Sequence, residues 1–102
     1  MRIEAGREAD LAPGQARKLD VSPPIALIRG ESGAFYAVDD TCTHATASLS
    51  MGFVDGEQIE CPLHMGMFCL KTGQPTAPPV TDPIKVHLVS VIDGVVYVDV
   101  ER

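Results

Sequence analysis

Two short segments carry the residue types most able to do chemistry: Cys42-Thr43-His44 and Cys61-Pro62-Leu63-His64. Each sets one cysteine beside one histidine, in a chain with only three cysteines and three histidines. Thiolate and imidazole are ligands for zinc, copper and iron–sulfur centres. A lone cysteine is more often a small buried hydrophobe, but the repeated pairing is harder to assign to packing. A structural zinc site usually groups cysteine with cysteine and histidine with histidine. Here each segment is mixed, which suits a two-iron cluster in which histidine replaces cysteine on one iron. Cys42 and Cys61 then hold one iron, and His44 and His64 hold the other.

Such segments need a rigid base, and the surrounding pattern predicts strands. Short apolar runs alternate with Gly, Pro and Asp, as in an all-β domain. In "IKVHLVSVI" the residues Ile84, Val86, Leu88 and Ile92 share one face, and in "VVYVDV" so do Val96, Val98 and Val100. Asp93-Gly94 between them predicts a tight hairpin, because glycine accepts the positive φ that a primed turn requires. A second hairpin is expected to join Ile25–Arg29 to Ala34–Val38 through Gly30-Glu31-Ser32-Gly33. "ARKLDV" alternates weakly, and "GREADLAPGQ" reads as one helical turn or a loop stopped by Pro13-Gly14. "GEQIEC" and "GMFCL" predict short strands flanking the second Cys/His segment. "GQPTAPPVTDP" is expected to be a loop, since proline removes ladder donors. Residues 1–102 thus form a single domain, with a loop-rich subdomain at about 41–79 inserted between ordinary hairpins.

Composition narrows the function classes. Apolar residues make up 45% of the chain, which argues against disorder. The core must rest on Val, Ile and Leu, because there are three Phe, two Tyr and no Trp. A core that light would gain from a metal centre, whose binding energy becomes folding energy. The formal charge of −6 argues against nucleic acid, which needs a basic patch. The plain reading of that charge is solubility; the sharper one is steering toward a basic partner, in which case salt would slow turnover. "MRIEAGREADLAPG" lacks the apolar stretch of a signal peptide, and no apolar run is long enough for a membrane span. Three cysteines cannot all pair, so a reducing cytoplasm is the expected compartment.

The stretch "CTHATASLSMGFVDGEQIECPLHMGMFCLKTGQP" resembles the cluster-binding segment of Rieske-type [2Fe–2S] ferredoxins. The resemblance extends through "PIKVHLV…DGVVYVDV" and is weakest in the first fifteen residues. It implies a Rieske (ISP-like) antiparallel β-sandwich carrying one Rieske [2Fe–2S] cluster per chain. Cys42 and Cys61 would ligate the iron distant from solvent. His44 and His64 would ligate the outer iron, which the family reduces. Two ferric ions, two sulfides and two thiolates sum to zero charge with neutral histidines, so the oxidised centre asks for no buried counter-charge.

High-potential members of that family carry a further cysteine in each loop, joined as a disulfide, and place Ser and Tyr just beyond the second histidine. This chain has Ala47, Leu63, Gly66 and Phe68 at those positions. Neither the disulfide nor the hydroxyl donors to sulfur can form, which implies a potential near the low end of the Rieske range, about −150 mV. Low-potential members resemble the ferredoxin components of bacterial aromatic-ring-hydroxylating dioxygenase systems. Those carry single electrons from a flavin-containing, NAD(P)H-oxidising ferredoxin reductase to a terminal Rieske non-haem iron oxygenase. The resemblance therefore implies a soluble, monomeric electron carrier that is not catalytic alone. The oxygenase itself would need two further histidines and a carboxylate for a mononuclear iron, and only His87 remains. One rival is the small Rieske subunit of an assimilatory nitrite reductase or other multicomponent oxidoreductase, which a stable co-purifying partner would favour. A structural zinc module, which predicts a colourless protein, is the other.

Several residues have plainer readings. Cys69 is expected to be a small strand residue packed near the cluster, and His87 an exposed or partly exposed strand residue. Glu57 and Glu60 read as solvated strand-edge charges. Gly66 is expected to give backbone freedom where amides point at sulfide. "GQPTAPPV", with Pro78-Pro79, would cover the cluster as a third loop. Ala45, Thr46, Met65, Met67 and Pro79 would form a docking patch, methionine being adaptable at transient surfaces; Met51 belongs there less clearly. The aromatic substrate cannot be read from this chain, because the oxygenase selects it.

Overall fold

A computed structural model describes residues 1–43, 46–63 and 65–100. Its strands are β1 (Arg2–Arg7), β2 (Ala16–Leu19), β3 (Ile25–Arg29), β4 (Phe35–Asp39), β5 (Phe53–Asp55), β6 (Gln58–Glu60), β7 (Met67–Cys69), β8 (Pro75–Ala77), β9 (Val86–Ile92) and β10 (Val95–Asp99). Two 3-10 turns, Glu8–Asp10 and Leu49–Met51, are the only helical elements among the described residues. Every strand pair is antiparallel, in a six-stranded sheet ordered β1-β10-β9-β4-β3-β2 and a four-stranded sheet ordered β5-β6-β7-β8. No helix among these residues is long and apolar enough to cross a membrane.

Both predicted hairpins form. Asp93 and Gly94 take φ of 51° and 76°, the paired left-handed conformation that keeps β9 and β10 in register. The turn after β3 closes with the Gly30 amide donating to the Ala34 carbonyl at 2.8 Å. β3 is buried at Ile25, Ala26, Leu27 and Ile28, because it lies between two cores. Ala26, Ile28 and Val38 face one, with Ile59, Phe68 and Leu70 of the four-stranded sheet. Ile25, Leu27 and Ala37 face the other, with Val96 and Val98 of β10. A strand buried on both faces reads as an unbroken apolar run, and "IALI" is one. Each large side chain buried this way contributes roughly 2 kcal/mol.

The structure corrects several local expectations. β1 forms in the charged N-terminal segment, where no strand was expected, and pairs with β10 along the sheet edge. β8 forms inside the proline-rich segment expected to be a loop, with Met67 opposite Ala77 and Phe68 opposite Pro75. It is an edge strand with a register irregularity at that point, where a missing amide hydrogen is tolerated. On β9 the face assignment changes. Val86 packs on the first core, but Leu88 and Ile92 on the same face are 63% and 47% exposed. β9 pairs with β4 only at Val86 and His87, so beyond them this face is open. The opposite face carries Val89, directly across from Val98, and packs on the second core. His87 shares it, opposite Ala37. It is 2% exposed rather than on the surface, with Nε2 at 2.8 Å from Asp39 Oδ1.

Candidate iron–sulfur centre

Cys42 sits just beyond β4, where the chain leaves the six-stranded sheet. Its amide donates to the Ala47 carbonyl at 2.9 Å, and Thr41 bridges to Ser48. Asp40 anchors both ends of that loop. Its carbonyl accepts the Leu49 amide at 2.7 Å; its carboxylate accepts the Ser50 amide at 2.9 Å and the Ser48 hydroxyl. Cys61 follows β6, and its amide donates to the Gly66 carbonyl at 2.7 Å, closing the second loop. Within that loop Met65 holds a φ of 62°, a conformation non-glycine residues adopt sparingly.

The loops bring Cys42 and Cys61 together, at 4% and 0% exposure, inside the first core. Their thiols are close neighbours. Burial pushes the Cys61 thiol above its ordinary range; the Leu63 backbone hydrogen bond opposes this, and the adjacent Cys42 thiol adds to it. A cation bound to both would remove their protons outright and neutralise two adjacent thiolates in an apolar core. The donor set therefore fits the thiolate half of an iron centre. The predicted partners His44 and His64 lie outside the described residues, as does Ala45. Among the described residues, no three metal-ligating side chains converge.

A third segment, residues 78–83, ties the two loops together. Thr43 Oγ1 donates to the Asp82 carbonyl at 2.9 Å. Val80, 4% exposed, lies over Gly66, where a Cβ would come within 2.7 Å of Val80 Cγ1. What Gly66 needs here is space for Val80. Pro78 and Pro79 lie on the outside of this segment, exposed and joined by a cis peptide.

Around the loops Thr46, Leu63, Met65 and Pro79 are exposed, and Met67 is half-buried. Sequence reasoning missed Phe53, 62% exposed beside Met51 at 73%. Phe53 stands directly opposite Glu60, the residue before Cys61, and its alternation with half-buried Val54 on a three-residue strand was the available signal. Ala47 and Phe68, where relatives of higher potential would place a cysteine and a hydroxyl, are core residues at 6% and 0% exposure. Cys69 is not packed beside the cysteine pair. It lies opposite Gln58, at the end of β7 away from Cys61. The Thr72 hydroxyl lowers its thiol pKa against the opposing effect of burial, helped by the backbone of Thr72 and Lys71 and the Lys71 charge.

Glu57 also departs from its plain reading. Its carboxylate accepts the Ser32 hydroxyl at 2.6 Å, the Ser32 amide at 3.1 Å and the Tyr36 phenol at 2.8 Å. It thereby joins the turn of the six-stranded sheet to that of the four-stranded one. Glu60 is half-buried between Phe53 and Met67.

Comparison with known proteins gives a consistent result. The family model described as Rieske [2Fe-2S] domain matches residues 1–89. The 3-phenylpropionate/cinnamic acid dioxygenase ferredoxin subunit of Photorhabdus laumondii subsp. laumondii is 47% identical over 94 residues, covering 91% of this chain and 89% of that protein. The structure of a complex of reduced oxygenase and oxidized ferredoxin in carbazole 1,9a-dioxygenase contains a chain with a TM-score of 0.89 and 43% identity, covering 94% of this chain and 99% of that one. The ferredoxin of carbazole 1,9a-dioxygenase from Nocardioides aromaticivorans IC177 superposes with a TM-score of 0.92 at 33% identity, covering 99% of both chains.

Proposed function

This chain belongs to the Rieske [2Fe-2S] domain family, and on that premise we propose that it is the ferredoxin component of an aromatic-ring-hydroxylating dioxygenase system. Its cofactor is the Rieske [2Fe–2S] cluster, which stores one electron at a time when bound. The chain is an electron-transfer component and not a catalyst by itself, as are the dioxygenase ferredoxin subunits it resembles over nine-tenths of its length. The observation that carries the reading is the buried pair of cysteines, delivered by two loops into one core.

In this reading Cys42 and Cys61 hold the inner iron, and His44 and His64 hold the outer one. Residues 41–79 act as the cluster-binding subdomain within a single domain spanning 1–102. The Leu63 backbone supports the Cys61 thiolate, and Val80 keeps water from the second loop. The exposed residues Leu63, Met65 and Pro79 meet partners briefly, as transient electron-transfer interfaces are small. The chain works as a monomer in the cytoplasm. It receives electrons from a flavin-containing reductase and passes them to a terminal Rieske non-haem iron oxygenase, the kind of partner suggested by the carbazole dioxygenase complex.

The test is an anaerobic reductive titration followed by EPR. The expected result is a reduced signal of mixed histidine/cysteine ligation and a midpoint near the low end of the Rieske range, about −150 mV. A colourless zinc protein would overturn the cluster assignment. A clearly positive midpoint would point to a quinol-linked chain. His64→Cys should change the spectrum; an unchanged spectrum would remove His64 from the ligand set.

A further inference from the structure

We propose that Asp40 sets the cluster's reduction potential, through a charge buried beside the first ligand loop. This rests on the reading of Cys42 and Cys61 as cluster ligands.

Asp40 is 2% exposed and precedes Cys42 by two positions. Its carboxylate is held by the Ser50 amide at 2.9 Å and by the Ser48 hydroxyl, which also meets Ser50 Oγ at 2.9 Å. The ion pairs among the described residues do not include it. Lys18 borders the same surface recess without pairing to it. The hydrogen bonds explain a polar residue at the neck of the loop, but a neutral amide could anchor the neck almost as well. The charge is what a loop anchor does not need.

A cluster with two thiolates and two neutral histidines carries no net charge when oxidised and one negative charge when reduced. A fixed negative charge nearby therefore penalises only the reduced state. In the protein interior that penalty is strengthened by the low effective dielectric, and salt screens buried charges weakly. Asp40 thus lowers the potential by electrostatics, in addition to whatever the missing hydroxyl donors at Gly66 and Phe68 contribute. Ser48 opposes Asp40, because its hydroxyl presents a positive hydrogen to the carboxylate.

Two variants separate charge from scaffolding. Asp40→Asn keeps the size and an acceptor oxygen while removing the charge. Its reduced-to-oxidised ratio at a fixed solution potential should rise about tenfold, a midpoint shift of about 59 mV for one electron. The shift should survive in high salt. Ser48→Ala keeps the charge and removes one of its donors, so its midpoint should fall. A purely structural role would move both midpoints in the same direction, and that result would overturn the proposal. So would an unchanged or lowered midpoint in Asp40→Asn. If Asp40→Asn takes up no iron, Ser48→Ala decides: a lowered midpoint supports the proposal, and an unchanged or raised one overturns it. The unsubstituted protein is titrated alongside. Absence of a mixed-ligand signal there would mean that the cluster reading itself has failed.

Discussion

The Tyr36 phenol is pushed up from 10.0 to about 12, first by burial and then by Glu57, whose carboxylate accepts its hydrogen. A raised phenol stabilises the fold fully below its unfolded value of about 10. That contribution is lost as pH rises through the folded value of about 12. Glu57 runs the opposite way. The Ser32 hydroxyl, followed by the Tyr36 phenol, holds it below its ordinary range. Its contribution is present above the unfolded carboxylate value of about 4.3 and lost as pH falls through the folded one. Tyr36→Phe should therefore flatten the alkaline fall in urea midpoint, and Glu57→Gln the acid one. Equal pH dependence in variant and parent would show that this bridge does not stabilise the fold. Neither role was legible beforehand, because an isolated glutamate on a short polar strand looks solvated until the opposing turn is known. His87 was hidden in the same way: alternation separates two faces but does not say which meets a core. That Cys42 and Cys61 belong together was legible, because few other uses require Cys/His segments in that repeated order.

At the level of elements, Gly66 and Val80 decide how the third segment seats against the second loop. Adding a methyl group at Gly66 would force Val80 away, since a Cβ there comes within 2.7 Å of Val80 Cγ1. Gly66→Ala should destabilise the protein by about 1–3 kcal/mol, the usual cost of overpacking, and lower its retained iron. Gly66→Ala combined with Val80→Ala should recover part of the loss, as residues in contact are not additive. Thermal unfolding and iron content of the three proteins check this; no recovery would mean that Val80 is not the obstacle. The hairpins could be read from sequence because their turns have strong local chemistry, Asp93-Gly94 above all. β1 and β8 could not. One is charged and held at the edge by β10 from the other end of the chain; the other is proline-rich and held at the edge by β7.

For the molecule as a whole, the two cores have unequal relations to the cofactor. Cys42 and Cys61 belong to the core shared by Ile28, Val38, Ile59 and Phe68. Val96, Val98, Leu27 and Ala37 belong to the other, which holds neither cysteine. β3 and β4 form the wall between them. The half without cysteines is expected to consolidate before iron arrives, and the other half around it. Hydrogen exchange on cluster-free protein should find the amides of Val96 and Val98 still slow and those of Ile59 and Phe68 fast. Uniform protection would mean that the cysteine loops stand without metal, and uniform loss that the halves open together. In such an order of assembly, the first half acts as a template. It presents a partly built cradle to whatever delivers iron and sulfide, and the last step of folding is the closing of the chain over its cargo.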